Sequence, residues 1–114
     1  MDKFKKEKIM KYFKHEEFDS LDEPGSGLKM SEEILHMLDA VRKEYGKPMK
    51  INSGYRTEAR NKKIGGVKNS SHLRGLAADI SCKNSKDRFA LVKLFLKVGF
   101  TRIGIASSFI HVDV

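Results

Sequence analysis

Two histidines and a carboxylate, widely separated along the chain, constrain what this sequence can fold into. His72 and Asp79 lie seven positions apart, whereas His111 lies close to the end of the 114 residues. This is the ligand set of a catalytic zinc site, in which three protein ligands leave one position open for water. Spacing alone also allows an alternative to a metal site, in which a histidine and the aspartate form a structural hydrogen bond. A single zinc site requires the C-terminal segment to fold back beside residues 72–79.

The residues around these candidates indicate how they could converge. Gly75 and the pattern from Ala77 to Ile80 predict a loop that carries His72 into a strand that carries Asp79. Alternate residues of a strand share a face, so Asp113 is expected on the same side as His111. An arginine upstream, Arg56, could bind an anionic group of a substrate.

Hydrophobic periodicity and turn residues predict helices that alternate with short strands. Helices are expected over residues 8–18, from Ser31 to Tyr45, from Thr57 to Lys63 and from Asn84 or Ser85 to Val98, and strands over residues 49–53, 77–81, 101–105 and 109–114. The apolar face of the last helix is predicted to comprise Phe89, Val92, Phe95, Leu96 and Val98. This order predicts an α+β fold, with a small, mostly antiparallel sheet flanked by helices and a zinc site in a cleft on the sheet.

Length and composition predict one domain over residues 1–114, with residues 1–8 as a flexible N-terminus. No apolar run approaches the roughly 20 residues that cross a bilayer, and no apolar stretch follows the basic N-terminus. Neither membrane insertion nor a signal peptide is therefore expected.

The net charge of +8 favours anionic partners. Because the lysines are spread along the chain without a recognition helix, we expect nonspecific attraction to an acidic surface rather than specific nucleic-acid binding.

Three other residues have side chains that could react or bind a metal, but they are expected to have no such role. Cys82 follows a predicted strand and is interpreted as a small buried residue, since a nucleophilic cysteine would need a histidine partner. His36 lies within a predicted helix, and His15 lies in a charged run that is expected to face solvent.

Several separated motifs also occur together in an order and spacing that is typical of one family. They are Ser53-Gly54-Tyr55-Arg56, Asn61, Gly65-Gly66, Ser70 to Gly75, Ala78-Asp79-Ile80, Gly99-Phe100, Gly104 and Phe109 to Asp113. Over residues 10–114 the chain closely resembles the M15 family of zinc peptidases, which includes D-alanyl-D-alanine carboxypeptidases, dipeptidases and phage peptidoglycan endopeptidases. The resemblance is closest to the short, single-domain members that are common in phages and prophages.

This resemblance implies a role for each matching residue. His72, Asp79 and His111 would ligate Zn²⁺. Arg56 would bind a substrate carboxylate or stabilise the oxyanion that develops during hydrolysis. Ser70 would hydrogen-bond the substrate, with stabilisation of its own loop as the alternative.

The sequence departs from the family pattern at one position. Many relatives carry a catalytic Glu or Asp three residues before the last histidine ligand, and this chain has Ser108 there. Asp113 is the predicted substitute as general base and acid, with orientation of His111 as the alternative role. Asp22 and Glu23 of the N-terminal loop are further candidates.

The leading functional hypothesis is a zinc-dependent peptidase that cuts peptidoglycan stem peptides, as a carboxypeptidase or an endopeptidase. The alternative is a catalytically silent zinc domain that binds cell-wall peptides, and a third possibility is nonspecific nucleic-acid binding driven by charge. The resemblance places the action at the bacterial cell wall, in a phage or prophage (endolysin) setting. We expect synthesis in the cytoplasm and a monomer.

Overall fold

A four-stranded antiparallel sheet organises residues 10–114, the part of the chain that this computed structural model describes. Its strands are β1 (Ile51–Ser53), β2 (Ala77–Ser81), β3 (Arg102–Ile105) and β4 (Phe109–Asp113). They follow the order β1–β2–β4–β3, so that β2 and β4 are central. The predicted small antiparallel sheet is therefore confirmed, whereas the N-terminus predicted to be flexible, residues 1–8, lies outside the described residues.

Three α-helices accompany the sheet in this part of the chain. They are α1 (Glu32–Tyr45), α2 (Glu58–Lys63) and α3 (Ser85–Val98). The side chains of Thr57 and Asn84 accept hydrogen bonds from the first turns of α2 and α3, as residues at this position commonly do. Gly46 ends α1 with a φ angle of 73°, a conformation that glycine adopts at little cost. The described helices include none that is long and apolar enough to span a bilayer.

The two faces of the sheet differ in character. The central strands β2 and β4 bury one face fully, and its side chains join residues of α1 and α3 in a single hydrophobic cluster. The sheet contributes Ala78, Ile80, Ile110 and Val112 to this cluster. The opposite face carries the polar residues Asp79, His111 and Asp113. Alternation along each strand therefore separates the core from the candidate site.

The apolar face predicted for α3 is wrong in part. Leu91 and Phe95 are buried, while Phe89 and Leu96 are 72% and 60% exposed. Successive helical residues are rotated by about 100°, so Phe89 lies nearly opposite Leu91 and cannot share its face. Packing against α1 selects the side of α3 that carries Leu91 and Phe95.

The helix predicted over residues 8–18 is also wrong in its described part, where His15–Phe18 form only a short 3₁₀ turn. The backbone N–H groups of Lys11 and Tyr12 donate to the carboxylate of Asp39 on α1, at 2.8–3.0 Å. This contact ties the segment to α1 in a non-helical conformation. Phe13 and Phe18 are nevertheless buried.

The observed face of α3 yields a test with a matched control. Phe95→Ala should lower the free energy of unfolding by about 3–5 kcal/mol, because it removes a fully buried ring. Phe89→Ala should change it by about 0.5 kcal/mol or less, because that ring is exposed. Urea unfolding followed by circular dichroism measures both, and equal losses in the two variants would contradict this packing.

Candidate metal centre

The structure brings His72, Asp79 and His111 together on the polar face of the sheet. Asp79 of β2 lies directly opposite His111 of β4. The His111 Nδ1 atom is 2.8 Å from Asp79 Oδ1, and the His72 Nε2 atom is 3.3 Å from the same oxygen. One ligand atom from each residue lies within 4.8 Å of the other two, so this cluster could hold a metal ion.

His72 reaches the cluster from a 3₁₀ turn, Ser71–Arg74, that precedes β2. Its Nδ1 atom lies 2.7 Å from the Gly54 carbonyl oxygen, which can only accept, so Nδ1 carries the proton and donates. The other nitrogen, Nε2, faces Asp79 Oδ1 and is the atom that a metal ion could bind. Gly75 ends the turn with a φ angle of 69°, and a Cβ there would lie 2.3 Å from the Lys29 carbonyl oxygen. The loop conformation thus sets both the place and the tautomer of His72.

His111 lies between two carboxylates. Its Nδ1 atom faces Asp79, and its Nε2 atom is 2.7 Å from Asp113 Oδ2. Asp113 is buried, and its second oxygen, Oδ1, accepts a 2.6 Å hydrogen bond from Arg102 Nε. Both oxygens of Asp113 are therefore engaged, on the side of the ring away from Asp79. The contact with His111 is the one that the predicted orienting role of Asp113 requires.

These contacts shift the pKa values of the cluster. Burial alone would raise the pKa of Asp79, but hydrogen bonds from His111 and His72 hold it well below its usual range. The hydrogen bond with Asp79 raises the pKa of His111, an effect that burial opposes and Asp113 reinforces. A carboxylate that stays ionised beside two imidazoles is suited to holding a cation.

Arg56 borders the cluster and is itself buried. Its Nη1 donates to Asn61 Oδ1 at 2.8 Å, its Nη2 donates to Ser53 Oγ at 3.1 Å, and Nη2 lies 3.7 Å from Asp79 Oδ2. Asn61 in turn donates to the Val67 carbonyl oxygen at 2.8 Å. The guanidinium is thus held in place by neutral partners, which leaves its charge only partly compensated by Asp79.

The cluster opens onto a cavity of about 410 Å³ on the sheet surface. Arg56, Ser70, His72, Asp79 and His111 line its polar side, and Val67, Ile105, Ala106 and Phe109 line its apolar side. The Ser70 hydroxyl accepts a hydrogen bond from the His72 backbone N–H at 3.2 Å, so it also caps the 3₁₀ turn. Among the described residues that line this cavity, Asp79 is the only carboxylate.

The other predicted acids do not line this cavity. Asp22 is hydrogen-bonded to the hydroxyls of Ser20 and Thr57, and these bonds lower its pKa. Glu23 forms an ion pair with Lys29 at 2.9 Å. Both carboxylates are therefore engaged by partners that do not line the cavity.

Sequence reasoning missed Arg102, the partner of Asp113. The predicted hairpin does not give the pairing, because counting outward from its turn, Ala106 to Ser108, would place Arg102 opposite Val112. In the structure the Ala106 N–H donates to the Phe109 carbonyl oxygen at 3.0 Å, so Arg102 lies opposite Asp113 and Gly104 opposite His111. Opposite charges at directly paired positions of antiparallel strands commonly attract one another.

Comparison with known proteins defines the class to which this site belongs. The family model described as Peptidase M15 matches residues 3–113, so the chain belongs to the M15 peptidase family and the predicted resemblance is confirmed. The chain is also similar to the zinc D-Ala-D-Ala carboxypeptidase of Streptomyces albus G, with 39% identity over 67 residues. That match covers 58% of this chain and 26% of the relative, so this chain corresponds to about a quarter of that protein.

The support of Arg56 can be tested through stability. Asn61→Ala should lower the free energy of unfolding by about 1–3 kcal/mol, because a buried guanidinium N–H and the Val67 carbonyl lose their partner. Asn69→Ala, at an exposed position nearby, should have little effect. Urea unfolding measures both, and an Asn61→Ala variant as stable as the parent protein would contradict the hydrogen-bonded arrangement around Arg56.

Proposed function

We propose that this chain is a zinc-dependent peptidase that hydrolyses peptide bonds in peptidoglycan stem peptides. The observation that carries the proposal is the convergence of His72, Asp79 and His111 beside a buried arginine. Membership of the M15 family and the similarity to a zinc D-Ala-D-Ala carboxypeptidase support the metal and the substrate class.

The donor set suits zinc. Two imidazole nitrogens and one carboxylate oxygen are common zinc ligands, and bonds of about 2.0–2.1 Å around a tetrahedral ion separate the ligand atoms by about 3.3 Å. The distance of 3.3 Å between His72 Nε2 and Asp79 Oδ1 fits this value. The chain would therefore hold zinc through His72 Nε2, His111 Nδ1 and the Asp79 carboxylate. When bound with three protein ligands, zinc lowers the pKa of a coordinated water to about 7 and polarises a carbonyl group.

Arg56 would bind the negative charge of the substrate or of the transition state. Its guanidinium lies on the cavity wall next to Asp79, and its neutral partners fix its orientation. A positioned guanidinium can form charge-assisted hydrogen bonds with the terminal carboxylate of a peptide or with a developing oxyanion. The first role suits a carboxypeptidase, and the second suits either a carboxypeptidase or an endopeptidase.

Ser70 would hydrogen-bond the substrate backbone. Its hydroxyl oxygen accepts from the His72 N–H, which leaves the hydroxyl proton available to a carbonyl group in the cavity. The apolar side of the cavity, formed by Val67, Ile105 and Phe109, would contact the small side chains of a stem peptide. The site of action would be the bacterial cell wall, and the phage or prophage setting stays a prediction from the resemblance.

A second function is favoured by one observation. Ser108 replaces the usual acid, and in the described part of the chain only Asp79 contributes a carboxylate to the cavity. A protein that binds zinc and cell-wall peptide without cutting it would have these features. Measurement of product formation separates the two functions.

Peptide release from purified peptidoglycan tests the proposed peptidase. The zinc-loaded protein should release fragments that mass spectrometry detects, and a chelator should abolish the release. The fragment masses identify the bond that is cut. Binding to peptidoglycan without any release would instead support the silent binding domain.

Histidine variants provide the controls for this experiment. His72→Ala should lose both bound zinc and peptide release, because one of three ligands is absent. His36→Ala removes an exposed histidine on α1 and should behave like the parent protein. Full peptide release by His72→Ala would contradict the zinc assignment.

The role of Arg56 can be read from kinetics. Arg56→Ala should lower kcat/KM by about 10²–10³-fold if the guanidinium stabilises the oxyanion, mainly through kcat. If it binds a terminal carboxylate, the loss should appear mainly in KM and only for substrates with a free C-terminus. Comparison of a free peptide with its C-terminal amide distinguishes these roles, and unchanged kinetics for both substrates would exclude them.

A further inference from the structure

A chain of hydrogen bonds leads from the metal-ligand cluster along the sheet. Arg102 Nε donates to Asp113 Oδ1 at 2.6 Å, and Asp113 Oδ2 lies 2.7 Å from His111 Nε2. The opposite nitrogen of the same ring, His111 Nδ1, faces Asp79. Asp113 therefore contacts the ring at its edge away from the cluster, and Arg102 contacts Asp113.

We propose that Asp113 and Arg102 are positioning residues that hold the His111 ring with Nδ1 directed at the metal. The inference rests on the proposed function, because it assigns His111 as a zinc ligand. Asp113 anchors the ring directly, and Arg102 anchors Asp113. Neither residue contacts the substrate or the reacting atoms in this arrangement.

The ring needs such an anchor. Its side chain is 30% exposed, so packing alone leaves it room to rotate about the Cβ–Cγ bond. A half-turn about this bond would put a carbon atom where Nδ1 now lies and would remove one zinc ligand. The hydrogen bond to Asp113 fixes Nε2 and with it the position of Nδ1. Histidines that bind metals are commonly oriented by a carboxylate in this way.

Asp113 is buried, so its carboxylate is held in place only while both of its oxygens have hydrogen-bond partners. Its side chain is only 6% exposed, and a buried carboxylate is costly unless its oxygens are hydrogen-bonded. His111 engages one oxygen, and Arg102 supplies the cation for the other. The Arg102 side chain is itself 73% exposed, so its effect on the ring should be smaller than that of Asp113.

The strand register brings the three residues together. Arg102 of β3 lies opposite Asp113, and Gly104 lies opposite His111. A Cβ at Gly104 would lie 3.4 Å from His111 Cβ, so β3 presents no side chain beside the base of the ring. The same face of β3 presents a long cationic side chain two residues earlier, where it reaches the carboxylate.

The same geometry separates this role from that of a general base. A base must reach the attacking water directly or through one further water. Asp113 lies beyond the ring from Asp79, and both its oxygens are already engaged. The serine at position 108 thus does not by itself make Asp113 the base.

Zinc affinity measured by competition with a chromophoric chelator tests the proposal without recourse to turnover. Asp113→Asn should weaken zinc binding about 10–100-fold, the usual cost of losing such a partner. Arg102→Gln should weaken it by about threefold to tenfold, and Arg102→Lys, which keeps the cation, should recover part of the loss. Lys86→Gln removes one exposed positive charge on α3 and should leave zinc affinity unchanged.

Proton NMR of the His111 Nε2–H group provides a readout that a general loss of stability would not imitate. In the parent protein this proton should appear far downfield and exchange slowly with water, because it is donated to a buried carboxylate. It should exchange faster in Asp113→Leu, and its absence in His111→Gln assigns the signal. Thermal unfolding of each variant verifies that the fold is retained.

Either measurement can overturn the proposal. Asp113 would instead be the base if both Asp113→Asn and Asp113→Leu kept the zinc affinity and the slow Nε2–H exchange of the parent protein but lost turnover. If the parent protein binds no zinc, the proposed function fails, and the NMR signal of the metal-free protein still decides whether Asp113 anchors the ring. Slow exchange that persists in Asp113→Leu would then refute the anchor as well.

Discussion

The antiparallel pairing of β2 with β4 is the interaction on which both the hydrophobic core and the candidate metal centre depend. It places Asp79 opposite His111 on one face, and Ile80 opposite Ile110 on the other. A shift of β4 by one residue would turn His111 into the core and Val112 into the cleft. The burial of Ile110 and Val112 therefore fixes the register that brings the imidazole to the carboxylate. The free energy that orders the site comes largely from apolar contacts on the opposite side of the sheet.

The position of His72, the third potential metal ligand, depends on a different contact. His72 is oriented by the Gly54 carbonyl oxygen, and Gly54 packs directly on Phe18. A Cβ at Gly54 would lie 2.7 Å from Phe18 Cβ, and the Tyr55 N–H donates to the Phe18 carbonyl oxygen at 2.8 Å. Phe18 thus supports the loop that orients His72, although residues 10–18 contribute no side chain to the ligand cluster. This explains why an irregular segment with only a 3₁₀ turn carries two buried aromatic rings.

Most elements could be predicted from the sequence because their signals are local. Ser31, Thr57 and Asn84 mark helix starts, and alternating residues mark β2 and β4. The segment before Phe18 could not be assigned correctly, because its conformation is set by Asp39, 27–28 residues away. The buried side of α3 was likewise ambiguous, since that helix has apolar residues all around and only α1 selects among them.

The candidate site was predictable to a similar extent. The motifs identified the three potential metal ligands and Arg56, because each lies in a distinctive local sequence. The role of Asp113 remained open, since the strand pattern places it on the face of His111 but does not say which ring nitrogen it meets. Arg102 carries no motif at all. It could be found only from the register of the hairpin, a pairing between positions 11 residues apart.

Charged and polar groups of opposite character alternate across this face of the sheet. The order is Arg56, Asp79, His111, Asp113 and Arg102, so each carboxylate lies between two groups that can carry positive charge. Such alternation compensates buried carboxylates, which would otherwise be costly. The two arginines at the ends of this series, Arg56 and Arg102, differ in their surroundings. Arg56 is buried, is held by neutral partners and lines the cavity, whereas Arg102 is exposed and donates from Nε to Asp113.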